Sequence, residues 1–154
     1  MVNFKLLFFL LVSNLVLCQT NFTAKVIGIK DGDTVVVLDS LNNQTTLRLA
    51  EVDCPEKSQP FGTKAKQFTS DQIYRKTIKY VVTDTDRYGR SIAMIYYDNN
   101  KYLSAELIKN GLAWHYKRYS TSKDLANFEN SARLKKVGLW YDKNPIEPWE
   151  WRKK

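Results

Sequence analysis

Histidine and cysteine are scarce in this sequence of 154 residues. His115 is the single histidine, and Cys18 and Cys54 are the two cysteines. This scarcity argues against a histidine-rich zinc site, because such a site takes several imidazole or thiolate ligands from one chain. It also disfavours catalysis by a cysteine–histidine pair, since Cys54 and His115 stand far apart in sequence and no local signature of that chemistry joins them.

The sequence also lacks an apolar run long enough to cross a bilayer, for which about 20 residues are needed. Its most apolar stretch, residues 6–17, follows the charge of Lys5 and ends at Cys18. This arrangement is typical of a signal peptide, which we place at residues 1–18. We therefore expect export, to a secreted or periplasmic location. A lipoprotein anchored at Cys18 is the alternative, which the bulky Leu17 disfavours.

No cysteine pair remains for a disulfide in the exported chain. Export usually favours disulfides, but Cys18 would be removed or lipidated, which leaves Cys54 alone. Internal repeats and low-complexity tracts are absent as well, and nothing indicates a second domain. Residues 19–154 are therefore predicted to form one domain, in which the proline-rich residues 144–152 form an extended tail.

Acidic residues are too few to balance the basic ones. The 24 lysines and arginines outnumber the 16 aspartates and glutamates, so the net charge is +8, and loss of the signal peptide lowers it by one. This excess favours an anionic partner such as nucleic acid, a membrane surface or an acidic polysaccharide. Basic and aromatic residues interleave over residues 114–119, a mixture that can stack on bases while cations follow phosphates. Solubility and core packing are the alternative explanations.

The apolar pattern predicts five strands and about three helices. An Asp31-Gly32-Asp33 turn indicates a hairpin, because Gly32 can adopt a positive φ, and Gly28 indicates a bulge. The fold class is mainly β with α (α+β), a five-stranded OB-fold barrel of the type that binds oligonucleotides. The predicted strands are residues 23–29, 35–38, 45–52, 77–83 and 91–97, and the predicted helices are residues 62–74, 103–110 and 122–136.

Two carboxylates can meet where the first hairpin turn approaches the exit of the third predicted strand. Asp33 and Asp53 would repel each other there unless a cation lies between them, and oxygen ligands suit Ca²⁺ or Mg²⁺. An EF-hand is excluded, since the twelfth position counted from Asp31 is Asn42 rather than glutamate. Turn capping is the alternative role for both hairpin aspartates, and it is the role we assign to Asp31.

Three stretches of the sequence occur in order at plausible spacing. Together they resemble the thermonuclease family, the relatives of staphylococcal nuclease. The resemblance implies an OB-type barrel that hydrolyses DNA and RNA with calcium and with little base specificity. The stretches are Asp31-Gly32-Asp33-Thr34, then Arg48-Leu49 with Val52-Asp53, Pro55 and Glu56, then Asp86-Arg87-Tyr88-Gly89-Arg90, and the likeness continues through Gly111-Leu112-Ala113 to Pro148-Trp149-Glu150-Trp151-Arg152.

The resemblance implies calcium ligands and nucleic-acid contacts at the matching positions. Asp33 and Asp53 would bind Ca²⁺ through their carboxylates, and Cys54 through its backbone carbonyl, which needs no particular side chain. The family's side chains that contact nucleic acid have less direct counterparts in this sequence. The candidates for that contact are basic or aromatic: Arg87, Tyr88 and Tyr119.

The resemblance also implies two catalytic arginines, Arg48 and Arg90, and a catalytic glutamate, Glu56. The chemistry agrees, because the paired N–H groups of arginine match phosphate oxygens in a fixed geometry that lysine lacks. A carboxylate can position or deprotonate the attacking water. Arg48 and Asp53 are an odd number of positions apart, so the strand must bulge or end between Ala50 and Asp53 if both are to reach one face.

The sequence therefore predicts an exported, calcium-dependent nuclease that acts on DNA and RNA. It implies no protein partner, and we expect a monomer. One alternative is a non-catalytic OB-type nucleic-acid-binding module derived from such an enzyme, and another is a cation-dependent surface-binding protein anchored through Cys18. Glu56 argues against the binding module, because binding alone does not require a glutamate that faces a phosphate.

Overall fold

The computed structural model of the protein describes residues 20–154. The predicted signal peptide, residues 1–18, and the alternative lipid anchor at Cys18 lie outside the described residues. Among residues 20–154, no helix combines the length and the apolar character that a membrane crossing requires.

The secondary structure of the described residues follows the predicted pattern closely. The strands are β1 (Asn21–Asp31), β2 (Thr34–Leu38), β3 (Gln44–Leu49), β4 (Val52–Asp53), β5 (Thr77–Thr85), β6 (Ser91–Tyr97), β7 (Lys101–Tyr102) and β8 (Trp114–His115). The helices are α1 (Gly62–Ile73), α2 (Leu103–Lys109), α3 (Lys123–Leu134) and α4 (Pro148–Trp151), and a 3-10 helix covers Gly138–Tyr141. The five long strands and α1–α3 confirm the prediction, whereas the two-residue strands β4, β7 and β8 were not predicted.

Five strands close into a barrel in the order β3-β2-β1-β5-β6, and β7 extends the sheet beyond β6. Neighbouring strands are antiparallel except at the closure, where Arg48 of β3 pairs in parallel with Ile92 of β6. This is the OB-type barrel that the sequence predicted. The parallel closure places the start of β6 beside β3. The turn before β6 therefore lies close to the last residues of β3.

Aliphatic side chains fill the barrel because the period of two in each strand directs alternate residues to one face. Helices α1 and α2 cover this interior with residues such as Ala65 and Leu107. Each buried aliphatic side chain contributes about 1.5–3 kcal/mol, which makes the barrel a firm support for polar groups at its rim. The strand residues in this core include Val26, Val35, Val37, Leu47, Leu49, Ile78, Ala93 and Ile95.

Two glycines of the first hairpin have different roles. The register of β1 against β2 shifts between Val26 and Gly28, which confirms the predicted bulge. Gly32 lies in the predicted turn, but its φ is not positive, so that part of the prediction was wrong. Space is the reason for glycine here, since a Cβ on Gly32 would lie 2.8 Å from Cβ of Ala65 and 3.0 Å from Sγ of Cys54.

The C-terminal tail is not extended throughout, contrary to the prediction. Residues Pro148–Trp151 form α4, and Pro148 stands in its first turn, where proline is favoured because its missing N–H needs no partner. The Trp149 ring stacks on Tyr116 at 5.2 Å and meets Trp114 edge-on at 5.8 Å. Burial of these aromatic surfaces folds the tail back onto the domain.

Candidate active site

The turn between β1 and β2 carries Asp33 into the interior of the site. Its backbone oxygen accepts a hydrogen bond from the Leu49 N–H at 2.8 Å. Its carboxylate accepts from the Thr34 hydroxyl at 3.0 Å and from the Cys54 N–H at 3.1 Å. Asp33 therefore joins the hairpin turn to the segment that follows β4, as the sequence predicted for the two aspartate-bearing segments.

Asp31 does not cap the turn. Among residues 20–154, no hydrogen bond to its carboxylate is found, so the capping role assigned from the sequence was wrong. Burial raises the pKa of Asp31, and the nearby carboxylates of Asp33 and Glu56 raise it further. The Asp31 side chain therefore lies near the acidic side chains of the site, and it makes no hydrogen bond within residues 20–154.

Strand β3 ends at Leu49 and the chain turns before β4 begins. Glu51, in this turn, has a left-handed φ of 69°. The break removes the alternation that would have placed Arg48 and Asp53 on opposite faces, and the two side chains meet at 3.0 Å between Nη2 and Oδ1. The sequence predicted that the strand bulges or ends before Asp53, and in the structure it ends.

Arg48 connects the strand end to both candidate calcium ligands. Its Nη1 donates to the carbonyl oxygens of Leu49 at 3.0 Å and Val52 at 3.1 Å. Its Nη2 lies 3.0 Å from Asp53 Oδ1 and 3.4 Å from Asp33 Oδ2. Burial acts to lower the pKa of Arg48, but the carboxylates of Asp33 and Asp53 outweigh it and the pKa is raised.

Asp53 is the most enclosed carboxylate of the site, with a side chain only 1% exposed. Burial raises its pKa, and a hydrogen bond from Arg152 acts against this effect. A buried carboxylate is costly unless cations and donors compensate it. Two guanidinium groups, those of Arg48 and Arg152, supply that compensation here.

Arg90 reaches the same rim through the parallel closure of the barrel. It ends the turn before β6, where the Asp86 carboxylate accepts from its Nε at 2.7 Å and from its backbone N–H at 3.0 Å. Its Nη1 lies 3.4 Å from the Thr34 hydroxyl, which in turn donates to Asp33. Asp86 therefore fixes the direction of Arg90, and the two candidate catalytic arginines flank Asp33 and Thr34.

Glu56 follows Pro55 at the edge of this cluster and keeps a carboxylate 37% exposed. Its backbone N–H donates to Oε1 of the buried Gln59 at 3.1 Å. The carboxylate of Glu56 is bound by Arg152, with 2.6 Å between Nη1 and Oε1. Glu56 thus has an anchored backbone and a side chain open to solvent on the side away from Arg152.

Arg152 is the site residue that sequence reasoning missed. It follows α4 and bridges two acids, with 2.7 Å between its Nη2 and Asp53 Oδ2 and 2.6 Å between its Nη1 and Glu56 Oε1. The hydrogen bond with Asp53 is the main cause that raises its pKa. The available signals were an arginine after a tryptophan-rich segment and the family likeness of that segment. Neither indicates that Arg152 returns to residues nearly a hundred positions earlier.

The thiol of Cys54 is not a nucleophile in this site. Its side chain is buried beside Gly32, and burial raises its pKa well above the usual value. A thiol held protonated in this way is unreactive, which agrees with the sequence-based preference against cysteine–histidine catalysis. What Cys54 offers to the site is its backbone, which already binds Asp33 through its N–H.

The three candidate nucleic-acid contacts lie on the surface. Tyr88 is 70% exposed, and the guanidinium groups of Arg87 and Arg90 stand 5.0 and 5.6 Å from its ring centroid. Tyr119 is 67% exposed and meets Tyr116 edge-on at 4.9 Å. Arg87 and Tyr88 therefore share the turn of Arg90, whereas Tyr119 lies on the separate aromatic surface that packs against the tail.

The sequence matches a known family over more than half of its length. Residues 46–142 match the family described as Staphylococcal nuclease homologue. The chain belongs to this family. It therefore shares the family's barrel, in agreement with the resemblance that the three stretches indicated.

Relatives of the chain carry nuclease names. An uncharacterized endonuclease of Haemophilus influenzae is 43% identical over 131 residues, which cover 85% of this chain and 73% of the relative. Micrococcal nuclease of Shigella flexneri is 36% identical over 144 residues, 86% of this chain and 82% of the relative. An uncharacterized endonuclease of Escherichia coli is 34% identical over 137 residues, 89% and 88% of the two chains. The chain is thus similar to these bacterial proteins over 73–88% of their length.

The residues of the site fit a calcium ion by type. Residues 20–154 contain no group of three or more histidine, cysteine, aspartate or glutamate side chains that could hold a metal ion. The predicted set of calcium ligands has only two side chains, the carboxylates of Asp33 and Asp53, together with one backbone carbonyl. Arg48 contacts both carboxylates. All of these donors are oxygen atoms, which Ca²⁺ prefers.

Proposed function

We propose that the protein is an exported, calcium-dependent nuclease that hydrolyses phosphodiester bonds of DNA and RNA with little base specificity. One observation carries the proposal, namely the ion-paired cluster in which Arg48 lies between Asp33 and Asp53 at one rim of the barrel. Arg90 and Glu56 border the same cluster. Membership of a nuclease family and the net charge of +8 support an anionic polymer as the substrate.

Asp33, Asp53 and the backbone carbonyl of Cys54 would hold the calcium ion. When bound, Ca²⁺ would polarise a phosphate oxygen and orient the phosphodiester. The role of the protein is to keep the two carboxylates in position, and Arg48, the Thr34 hydroxyl and the Cys54 N–H do so through the hydrogen bonds described above.

The arginines would bind the phosphate as negative charge grows on its oxygens. Asp86 occupies Nε of Arg90, so the Nη groups of Arg90 are the ones directed toward β2 and the site. A preorganised guanidinium that meets a developing anion stabilises the transition state more than the ground state. Arg48 would join it through Nη2, the nitrogen that borders both acids at the rim of the site.

Glu56 would act on the attacking water. Its exposed carboxylate can accept a proton from a water molecule as the water oxygen bonds to phosphorus. The phosphorus–oxygen ester bond on the opposite side then breaks, and the departing oxygen takes a proton from solvent. Gln59 holds the Glu56 backbone, so the carboxylate is presented from a fixed position.

A degradation assay with one variant tests the proposal. Plasmid DNA and RNA are incubated with the parent protein in Ca²⁺, in Mg²⁺ and in chelator, beside Glu56→Gln and the control Glu150→Gln, which removes an exposed acid from α4. We expect the parent and the control to cleave both polymers in Ca²⁺ and to lose this activity in chelator. Glu56→Gln should be slower by about 10²–10⁴-fold, the usual contribution of a general acid or base, and should still bind nucleic acid.

Three results would contradict the proposal in different ways. Nucleic-acid binding without cleavage by the parent protein would identify a binding module. Cleavage by Glu56→Gln within a few-fold of the parent would remove the glutamate from the mechanism, and activity that persists in chelator would remove the calcium ion.

A further inference from the structure

The C-terminal tail is attached to the active-site loop by contacts on both sides. The buried Gln59 donates from Nε2 to the carbonyl oxygen of Ile146 at 2.6 Å, while its Oε1 accepts from the Glu56 N–H. The Trp151 indole N–H donates to the Ser58 hydroxyl at 3.3 Å. One glutamine therefore links the loop that carries Glu56 to the tail that carries Arg152, so the position of Arg152 is set by packing rather than by the side chain alone.

The guanidinium of Arg152 contacts both carboxylate oxygens of Asp53 and one oxygen of Glu56. Its Nη2 lies 2.7 Å from Asp53 Oδ2, and its Nη1 lies 3.3 Å from Asp53 Oδ1 and 2.6 Å from Glu56 Oε1. Arg48 holds Asp53 Oδ1 from the other side at 3.0 Å. Both oxygens of the buried Asp53 are thus already paired with guanidinium groups.

We propose that Arg152 is a further residue of the active site, which competes with the divalent cation for Asp53 and thereby sets the cation affinity. The inference rests on the proposed function, because it assumes that Asp53 is a cation ligand. A divalent cation and the Arg152 guanidinium would compete for the same two oxygens of Asp53, and the repulsion between them is strong where water is largely excluded. Cation binding therefore requires that Arg152 leave Asp53.

This competition has a definite thermodynamic consequence. The measured association constant for the cation equals that of the open site multiplied by the fraction of molecules in which Arg152 has released Asp53. The Arg152 side chain is 42% exposed, so release into water is feasible, while the buried Asp53 favours the bound form. Half-saturation of the site then requires a proportionally higher cation concentration. In the cation-free protein the same guanidinium also holds Glu56.

Calorimetry with Ca²⁺ alone tests this inference without reference to catalysis. The protein, free of nucleic acid, is titrated with CaCl₂ beside Arg152→Gln, Arg152→Lys and the control Lys153→Gln. Lys153 is the adjacent exposed cation, paired with Glu150 at 2.7 Å rather than with the site. Lys153→Gln therefore removes the same charge from the same tail and measures the general electrostatic effect.

We expect Arg152→Gln to bind Ca²⁺ at least about fivefold more tightly than the parent, the lower end of ordinary coupling between ligands. Lys153→Gln should stay within about twofold, because an exposed charge acts through screened solvent. Arg152→Lys should fall between the parent and Arg152→Gln, because lysine keeps the charge but loses the paired geometry. The Ca²⁺ concentration for half-maximal plasmid cleavage should fall in the same order.

Other outcomes separate this inference from the function on which it rests. Unchanged or weaker Ca²⁺ binding by Arg152→Gln, with normal binding by the parent, would overturn the competition and leave the cation site intact. An Arg152→Gln effect equalled by Lys153→Gln would also overturn it, since the cause would be general charge. Failure of the parent and of every variant to bind Ca²⁺ would overturn the proposed cation site and the inference together.

Discussion

Arg48 and Arg90 carry the same charge in different surroundings, and this difference decides what each contributes. The Arg48 guanidinium donates three hydrogen bonds to protein acceptors, among them the carbonyl oxygens of Leu49 and Val52. Arg90 is held mainly by one carboxylate, that of Asp86, and its side chain is 30% exposed. Arg48 is therefore a structural link as well as a candidate catalytic group, whereas Arg90 is available for a substrate.

Lysine substitution should separate these two roles. Arg90→Lys should lower single-turnover cleavage by about 10²–10³-fold, as loss of one preorganised donor does, with little change in stability. Arg48→Lys should lower cleavage and also reduce the free energy of unfolding by about 1–3 kcal/mol, because carbonyl oxygens lose their donor. The measurements are single-turnover kinetics and urea unfolding, with Arg75→Lys, an exposed arginine beside Tyr74, as control. Parent-rate cleavage by Arg90→Lys would identify an ordinary surface arginine.

At the scale of elements, two helices hold the two turns that carry the site. The buried hydroxyl of Thr69 in α1 donates to the Gly32 carbonyl oxygen at 2.6 Å. The buried hydroxyl of Ser104 in α2 donates to the Ala50 carbonyl oxygen at 2.8 Å. Buried carbonyl groups without a donor are costly, so each helix supplies the hydrogen bond that its turn lacks. The distance between the hairpin turn and the β3–β4 turn is thus set by helix packing.

A methyl group at Gly32 should disturb this arrangement. In Gly32→Ala the added Cβ would meet Ala65 at 2.8 Å and Cys54 at 3.0 Å, so the turn must move away from α1. We expect a loss of about 1–3 kcal/mol in the free energy of unfolding, typical of overpacking, together with weaker Ca²⁺ binding as Asp33 moves. Urea unfolding and calorimetry measure the two effects.

The matched control for this prediction is Gly28→Ala in the same hairpin. A Cβ there would lie 3.5 Å from Val36, an ordinary contact. Gly28→Ala should therefore remain close to the parent in both measurements. Equal stability of Gly32→Ala and Gly28→Ala would show that the turn can yield without cost.

For the molecule as a whole, His115 couples stability to pH. It lies in β8, where Nε2 is 2.9 Å from the Ser120 hydroxyl, and that hydroxyl donates to Glu51 at 2.7 Å. Nε2 must then carry the proton and donate to Ser120, so the buried Nδ1 is the unprotonated nitrogen. Among residues 20–154, Nδ1 has no hydrogen-bond partner. Protonation at Nδ1 would bury an N–H donor that has no acceptor.

Stability should accordingly fall with acid in a window that His115 determines. Burial lowers its pKa below the ordinary value of 6.5, so the unfolded chain binds a proton more readily than the folded chain. The stabilising contribution is complete above pH 6.5 and is lost as pH falls from 6.5 through the folded pKa. Urea unfolding at a series of pH values should show a smaller fall for His115→Gln than for the parent. Parallel pH profiles would contradict the assignment.

Much of the fold was predictable from the sequence because its determinants are local. The alternation of apolar residues marks the long strands, and the Asp31–Asp33 turn between two such runs marks a hairpin. The predicted site residues Asp33, Arg48, Asp53, Glu56 and Arg90 lie in three short stretches, and the structure brings them to one rim of the barrel. The odd spacing of Arg48 and Asp53 also predicted an interruption of β3, which the turn at Glu51 provides.

The tertiary structure alone decided how distant segments meet. No local pattern indicates that β3 and β6 pair in parallel, and this closure is what sets Arg90 beside Thr34. The same holds for the space that requires Gly32 and for the return of Arg152 to Asp53. Local sequence determines the conformation of each element through propensity and periodicity. Which elements come together depends instead on the burial of apolar faces and the compensation of buried charge across the whole domain, and a short stretch of sequence carries no record of that balance.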